Sequence, residues 1–375
     1  MFISKRVGFC ILLLAVLYNP ATPAQQDNSA SQHHANNISL DVVVTPKSGS
    51  PVSGLSQRDF TLLDNNVPQT ITSFQALSSG EAPAEIIVLI DAVNAKPETV
   101  AYERNQVGKF FKANGGRLRH PTTFAIFTDA DTHIHPDFTT DGNALMTLLN
   151  DATVSLRNIL PSAGFEGATE RIQLSLKAME TIAALEAPRP GRKLVLWISP
   201  GWPLLSRPGE MIQFTSLQLQ QMFASIVSLS TQLRQARITL YSIDPLGTQD
   251  IGVRTTAYAA YLKGVSKPKN VEPGNMALQV FAVHSGGLVL NSGNDLAELL
   301  QKSLTDTEAY YEISFQASPA GQRDEYHHLE IRLTKPGLTA RTRQNYYAQP
   351  APATSTTSIV RPQKYTMADP YVNSR

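Results

Sequence analysis

Asp91 is the residue of this chain best placed to do chemistry. It ends an unbroken apolar run, Ile86–Ile90, and is followed by Ala92, Val93, Asn94 and Ala95. Such a run without polar alternation predicts a strand buried on both faces, as in a parallel sheet covered by helices. A carboxylate at the carboxyl end of such a strand lies where open α/β sheets place their ligands. The same carboxylate could instead cap backbone N–H groups at the start of the next helix, with Asn94 supporting the turn. Trp202, between Gly201 and Pro203, is expected on a loop at the same sheet end, either as a recognition aromatic or as loop packing. His133 and His135 fall on one face of a short strand and could form a metal pair, but no carboxylate at ligand spacing completes it. His327 and His328 alternate across a strand and cannot both face one ion. His284 beside Ser285 is no evidence of a nucleophile–base pair. The chain carries no His-Glu-x-x-His, no Gly-x-Ser-x-Gly and no phosphate loop.

These residues need elements to position them. Helices are expected over 97–112, 141–149, 166–185, 216–235, 276–283 and 295–307. In the third, Ile172, Leu176, Met179 and Ala183 recur at three- and four-residue steps. Apolar strands are expected over 122–127, 132–138, 193–199, 238–243 and 287–290. Strands separated by helices imply right-handed crossovers and a doubly wound, mostly parallel sheet. Outside this region the hydrophobic period is two. Short strands with turns between them fill 38–76 and return over 309–347, where Tyr310, Tyr311, Tyr346 and Tyr347 read as core and edge aromatics. The N-terminal strands bury too little apolar surface to stand alone. They are expected to pair with the C-terminal ones, giving an α/β fold with a small β-sandwich built from the flanking strands. The divisions read from this pattern are 1–24 signal peptide, 25–37 linker, 38–80 and 308–348 the sandwich halves, 81–307 the α/β domain and 349–375 a disordered tail.

Four segments in order resemble the VWFA-related proteins of acidobacterial genomes, an offshoot of the von Willebrand factor type A group. They are Gly54–Asp64 with Gln69–Phe74, then Leu89–Asn94, then Pro190–Gly201 with Leu240–Gly247, and last Ser285–Gly287 with Tyr310-Tyr311 and Arg341–Tyr347. The resemblance spans roughly residues 38–348 and implies a vWA-like, Rossmann-like fold. In type A domains a divalent metal is held by a first-strand Asp-x-Ser-x-Ser, a loop threonine and often a later Asp, and captures a partner's carboxylate. Asp91 matches the aspartate and Thr169 the threonine. Val93 and Ala95 stand in place of the serines, and Ser199-Pro200-Gly201 in place of the later Asp-Gly. Mg²⁺ and Mn²⁺ want an octahedron of oxygens, so the expectation is a degenerate site without a resident cofactor, at most weakly metal-binding through Asp91, Asn94 and Thr169.

Lys5 and Arg6 precede an apolar run from Val7 to Leu17, then Asn19-Pro20 and small residues to Ala24. That order is a signal peptide's, and the run is shorter than the roughly 18 residues of a permanent anchor. The single cysteine, Cys10, lies inside it, so cleavage near Ala24 leaves a chain without thiol chemistry or disulfides. The net charge of +1 offers no basic face for nucleic acid. The reading is a secreted or periplasmic, envelope protein with no membrane span after cleavage. It acts as a non-enzymatic protein-binding module, its contact rim formed by Asp91, Asn94, Thr169, Ser199 and Trp202. The alternatives are an envelope metal-dependent hydrolase using His133 and His135, or a structural scaffold.

Overall fold

The computed structural model describes residues 37–78, 80, 84–152, 164–205, 213–247, 257–291, 293 and 295–350. The expected signal peptide, most of the linker and nearly all of the tail lie outside these residues. The centre of the molecule is the strand that the apolar run predicts. It is β5, Glu85–Asp91, preceded in the chain by β1 (Asn37–Pro46), β2 (Phe60–Asp64), β3 (Val67–Gln69) and β4 (Ile71–Ser78). After it come β6 (Arg117–Phe127), β7 (Thr132–Ile134), β8 (Thr139–Asp141), β9 (Lys193–Ile198), β10 (Ile238–Ile243) and β11 (Val289–Leu290). The sheet order is β11-β10-β9-β5-β6-β7. The first five of these are parallel, and β7 and β8 run antiparallel against β6.

The chain moves from β5 outward to β6, then returns to β9 on the other side of β5 and continues to β10 and β11. The crevice at the carboxyl ends of β5 and β9 is therefore the topological switch point. Pleating divides the apolar run between two cores. Ile87 and Leu89 join the cluster under α3 (Gly164–Glu186), α4 (Ser216–Gln235) and α5 (Leu278–His284). Ile86, Val88 and Ile90 join the one under α1 (Pro97–Lys112), α2 (Gly142–Asp151) and α6 (Leu296–Ser303). Helices on both faces explain why Ile86–Ile90 lacks polar alternation. Among the described residues no helix is long and apolar enough to cross a membrane.

Residues 38–78 and 309–348 interleave. One sheet has the order β14-β1-β12-β4 and the other β15-β13-β2-β3, where β12 is Ala309–Gln316, β13 Glu325–Leu333, β14 Leu338–Arg341 and β15 Asn345–Ala348. Each sheet thus joins strands from both ends of the chain, and their inner faces close over Leu40, Val42, Leu62, Tyr311, Ile313 and Phe315. The β2–β3 hairpin turns on Asn65 and Asn66, with φ of 49° and 66°, the backbone that a two-residue turn in a twisted hairpin demands and that asparagine tolerates. Tyr311 ties down the loop after β1: its hydroxyl donates to the Val52 carbonyl and accepts from Leu55 N.

Candidate functional site

The loop leaving β5 folds back on the side chain that ends the strand. Asp91 is fully buried. Its Oδ1 accepts from the backbone N–H groups of Val93 (3.0 Å) and Asn94 (2.9 Å). Its Oδ2 accepts from Asn94 Nδ2 (2.9 Å) and from the indole Nε1 of Trp197 (3.0 Å). Burial pushes the Asp91 carboxyl above its ordinary range, and the bonds from Trp197 and Asn94 pull it back. The carboxylate organises the Ala92–Ala95 turn from within.

The neighbours of Asp91 extend this internal use. Asn94 Nδ2 donates a second bond to Ser175 Oγ at 2.9 Å, so the residue of α3 that meets the loop is Ser175, six positions beyond Thr169. Ser175 is fully buried and lies three residues after Ile172 and four before Met179, on the helix's apolar stripe. That spacing was readable in the sequence, but a serine in the stripe carries no mark of its partner. Thr169, which the resemblance matches to a loop threonine, lies inside α3, as the expected helix over 166–185 has it, and its hydroxyl donates to the Phe165 carbonyl at 2.8 Å. Ser199 is buried and accepts from Gly201 N at 3.1 Å.

Trp202 corrects the expected rim. It is only 3% exposed and packs edge-on against Trp197, with ring centroids 5.4 Å apart, and against Phe281 at 6.1 Å. A tryptophan following a strand end is apolar enough to turn inward when a second tryptophan and a phenylalanine offer a pocket. Among the described residues, an exposed aromatic toward this end is Phe165, in the first turn of α3 and 53% exposed. Behind the loop, Glu103 of α1 is fully buried and neither of its oxygens has a hydrogen-bond partner among the described residues. Burial, reinforced by Asp91 and Asp244, holds its carboxyl well above the usual carboxylate range.

A divalent metal at Asp91 does not fit these residues. The carboxylate is enclosed and already accepts from protein donors on both oxygens, and Val93 and Ala95 are buried hydrocarbon. The Thr169 hydroxyl is committed to its own helix. A lone carboxylate with the buried Asn94 Oδ1 is a poor exchange for the hydration shell of Mg²⁺. The histidine pair fares no better as a metal centre. His133 is exposed on β7, whereas His135 follows the strand, stacks on Phe124 and accepts from Asp137 N. Among the described residues no three His, Cys, Asp or Glu side chains converge to hold a metal. His327 turns into the sandwich, where its Nδ1 lies 2.7 Å from Asp64 Oδ1. Tyr310, Tyr311, Tyr346 and Tyr347 are all buried.

No family model matches the chain, and no curated protein matches it. Among solved structures it is similar to proximal thread matrix protein 1 from the mussel byssus. That match has a TM-score of 0.36 and 11% identity, and it covers 65% of this chain and 51% of that one. It is also similar to the manganese-loaded TRAP protein of Plasmodium vivax, with a TM-score of 0.34, 9% identity and coverage of 75% and 98%. A third is the SpRpn10 VWA domain, with a TM-score of 0.28, 13% identity and coverage of 60% and 98%. The chain spans about half the length of the mussel protein. Scores this low carry no argument, so the fold assignment rests on strand order. It is a doubly wound α/β fold with a flanking β-sandwich.

Proposed function

We propose that this protein is a non-enzymatic protein-binding module, exported to the cell envelope, that presents the carboxyl end of its parallel sheet to another protein without using a metal. The observation that carries the reading is the pairing of an internally satisfied Asp91 with an exposed aromatic, Phe165, at the same sheet end. A side chain as large and apolar as Phe165 gains most by covering itself against a partner, and buried aromatics dominate the energetics of protein interfaces. With the metal ligands replaced or committed elsewhere, contact depends on the shape of the 92–95 and 164–169 segments. Export rests on the order of residues 5–24, and placement in the VWFA-related group rests on the four sequence segments alone.

A photo-cross-linking side chain at position 165, compared with one at the exposed Lys302 at the other end of the sheet, tests this in cells of the source organism. The expected result is a protein adduct specific to position 165 that persists in chelator and disappears when unlabelled protein competes. Adducts at both positions alike, or at neither, would overturn the reading in favour of a scaffold.

A further inference from the structure

Where the sandwich meets the amino end of β10, at the opposite end of the sheet from the proposed binding surface, lies a cavity of about 20 Å³. That is room for one occupant about the size of a water molecule. Asp41 of β1, Arg234 in the last turn of α4, Arg237, Ile238 and Arg343 line it. Three guanidinium groups therefore meet at one small space.

The charges around it do not balance. Arg237 holds both carboxylates of the joint, Asp41 at 2.6 Å and Glu312 at 2.8 Å. Arg234 and Arg343 make no ion pair among the described residues, so three cations face two anions. Arg343, in the crossing from β14 to β15, is only 7% exposed. Its Nη2 donates to the Ile238 carbonyl at 3.3 Å, the one hydrogen bond of this guanidinium among the described residues. A guanidinium carries five N–H donors, and those on Nε and Nη1 of Arg343 are neither bonded nor sealed off. The Nε of Arg234 is enclosed without a partner among the described residues, whereas its two Nη nitrogens stay accessible. Burial, then the neighbouring Arg234, pull the pKa of Arg343 down to about 9 against an opposite pull from Asp41, which leaves it charged at neutral pH. A buried charge without a counter-charge is costly. Ser285, at the rim, offers nothing further, because its hydroxyl accepts from Leu240 N and donates to the Ala282 carbonyl.

We propose that this cavity holds a monatomic anion, chloride, bound by the free N–H groups of Arg343 and Arg234. A water molecule could accept two of those N–H groups but would leave the excess positive charge in place. A halide is only slightly larger than water, accepts from several donors at once and neutralises the joint. Phosphate and sulfate are too large for the space. The ion ties the end of α4 and the β14–β15 crossing to one another, and it acts as a structural ligand of the junction between sandwich and sheet.

The test compares melting curves of the full-length protein in sodium chloride and in sodium gluconate at equal ionic strength, gluconate being too large to enter. Chloride NMR line widths are measured in parallel, since a bound chloride in exchange with solvent broadens the signal. The melting temperature is expected to be about 3–6 °C higher once chloride is about tenfold above its dissociation constant. Saturable excess broadening is expected over the same range of concentration. In Arg343→Met both effects should vanish. Arg234→Gln, at the more open side of the cavity, should weaken chloride binding about tenfold, which keeps the test decisive if Arg343→Met does not fold. Equal melting in the two salts without excess broadening would mean that water fills the cavity and would overturn the proposal. A melting difference without saturable broadening would be a general salt effect, with the same consequence. Broadening of equal size in the wild type and in both variants would place the chloride elsewhere on the surface and also overturn it.

Discussion

Asp91 illustrates how a residue type can fit two chemistries and be used for one. Its oxygens satisfy two backbone and two side-chain N–H donors, so Asp91→Ala leaves several buried donors unpaired. At about 1–3 kcal/mol for each group left unsatisfied, the loss should reach 3 kcal/mol or more in urea unfolding. The melting temperature of the wild type should move by less than about 1 °C between chelator and excess Mg²⁺ or Mn²⁺. A bound ion at a hundredfold over its dissociation constant would instead add about 2.7 kcal/mol and several degrees. Glu103 makes a second prediction. Its folded carboxyl holds a proton more tightly than the unfolded chain's, whose usual value is 4.5. The stability it permits is complete below that value and is lost as pH rises toward the raised folded pKa. The wild type should lose up to roughly 1.4 kcal/mol per pH unit from this group over that window. His327, held above its ordinary range by Asp64, also contributes stability that falls as pH rises. Glu103→Gln isolates the first effect: the variant should gain on the wild type as pH rises, and parallel stability–pH curves would contradict this account.

Elements explain why the side chains arrive where they do. The period of two in β5 sends alternate residues of one apolar run into separate cores, and the run's abrupt end delivers Asp91 to the switch point. The stripe of α3 brings Ser175, and not Thr169, to the Asn94 amide. Trp202 belongs to this scale because its place is set by Trp197 on β9 and Phe281 on α5. Trp202→Ala should therefore behave as a core truncation costing about 3–5 kcal/mol. In binding assays run well below its melting temperature the variant should retain partner capture, whereas Phe165→Ala should lose capture at unchanged stability. Lost capture in a fully folded Trp202→Ala variant would return this residue to the contact surface.

The whole molecule is held together by charges where sandwich and α/β sheet meet. Arg341 of β14 pairs with Asp306 at 2.5 Å and also donates to the Gly286 carbonyl, while the Tyr241 hydroxyl of β10 donates to the same aspartate. Arg237, just before β10, reaches both Asp41 of β1 (2.6 Å) and Glu312 of β12 (2.8 Å). Removing one partner of a buried pair leaves the other uncompensated. Arg341→Ala should accordingly lower stability by about 3–5 kcal/mol and keep a single cooperative transition; two separated transitions would mean that the sheets unfold independently.

Much of this architecture was legible in the chain. The doubly buried strand, the alternation of strand and helix, and the return of period two after residue 308 follow from hydrophobic spacing, which is local and survives without coordinates. That the two flanks join each other was also inferable, since the N-terminal strands bury too little apolar surface to stand alone. The use of each polar side chain was not. Whether Asp91 faces a ligand or four N–H donors, and whether Trp202 turns outward or onto Trp197, are decided by residues 2 to 106 positions away in sequence. Hydrophobic burial is written into the order of residue types, whereas hydrogen bonds and buried charges depend on which partners the closed fold brings within about 3 Å.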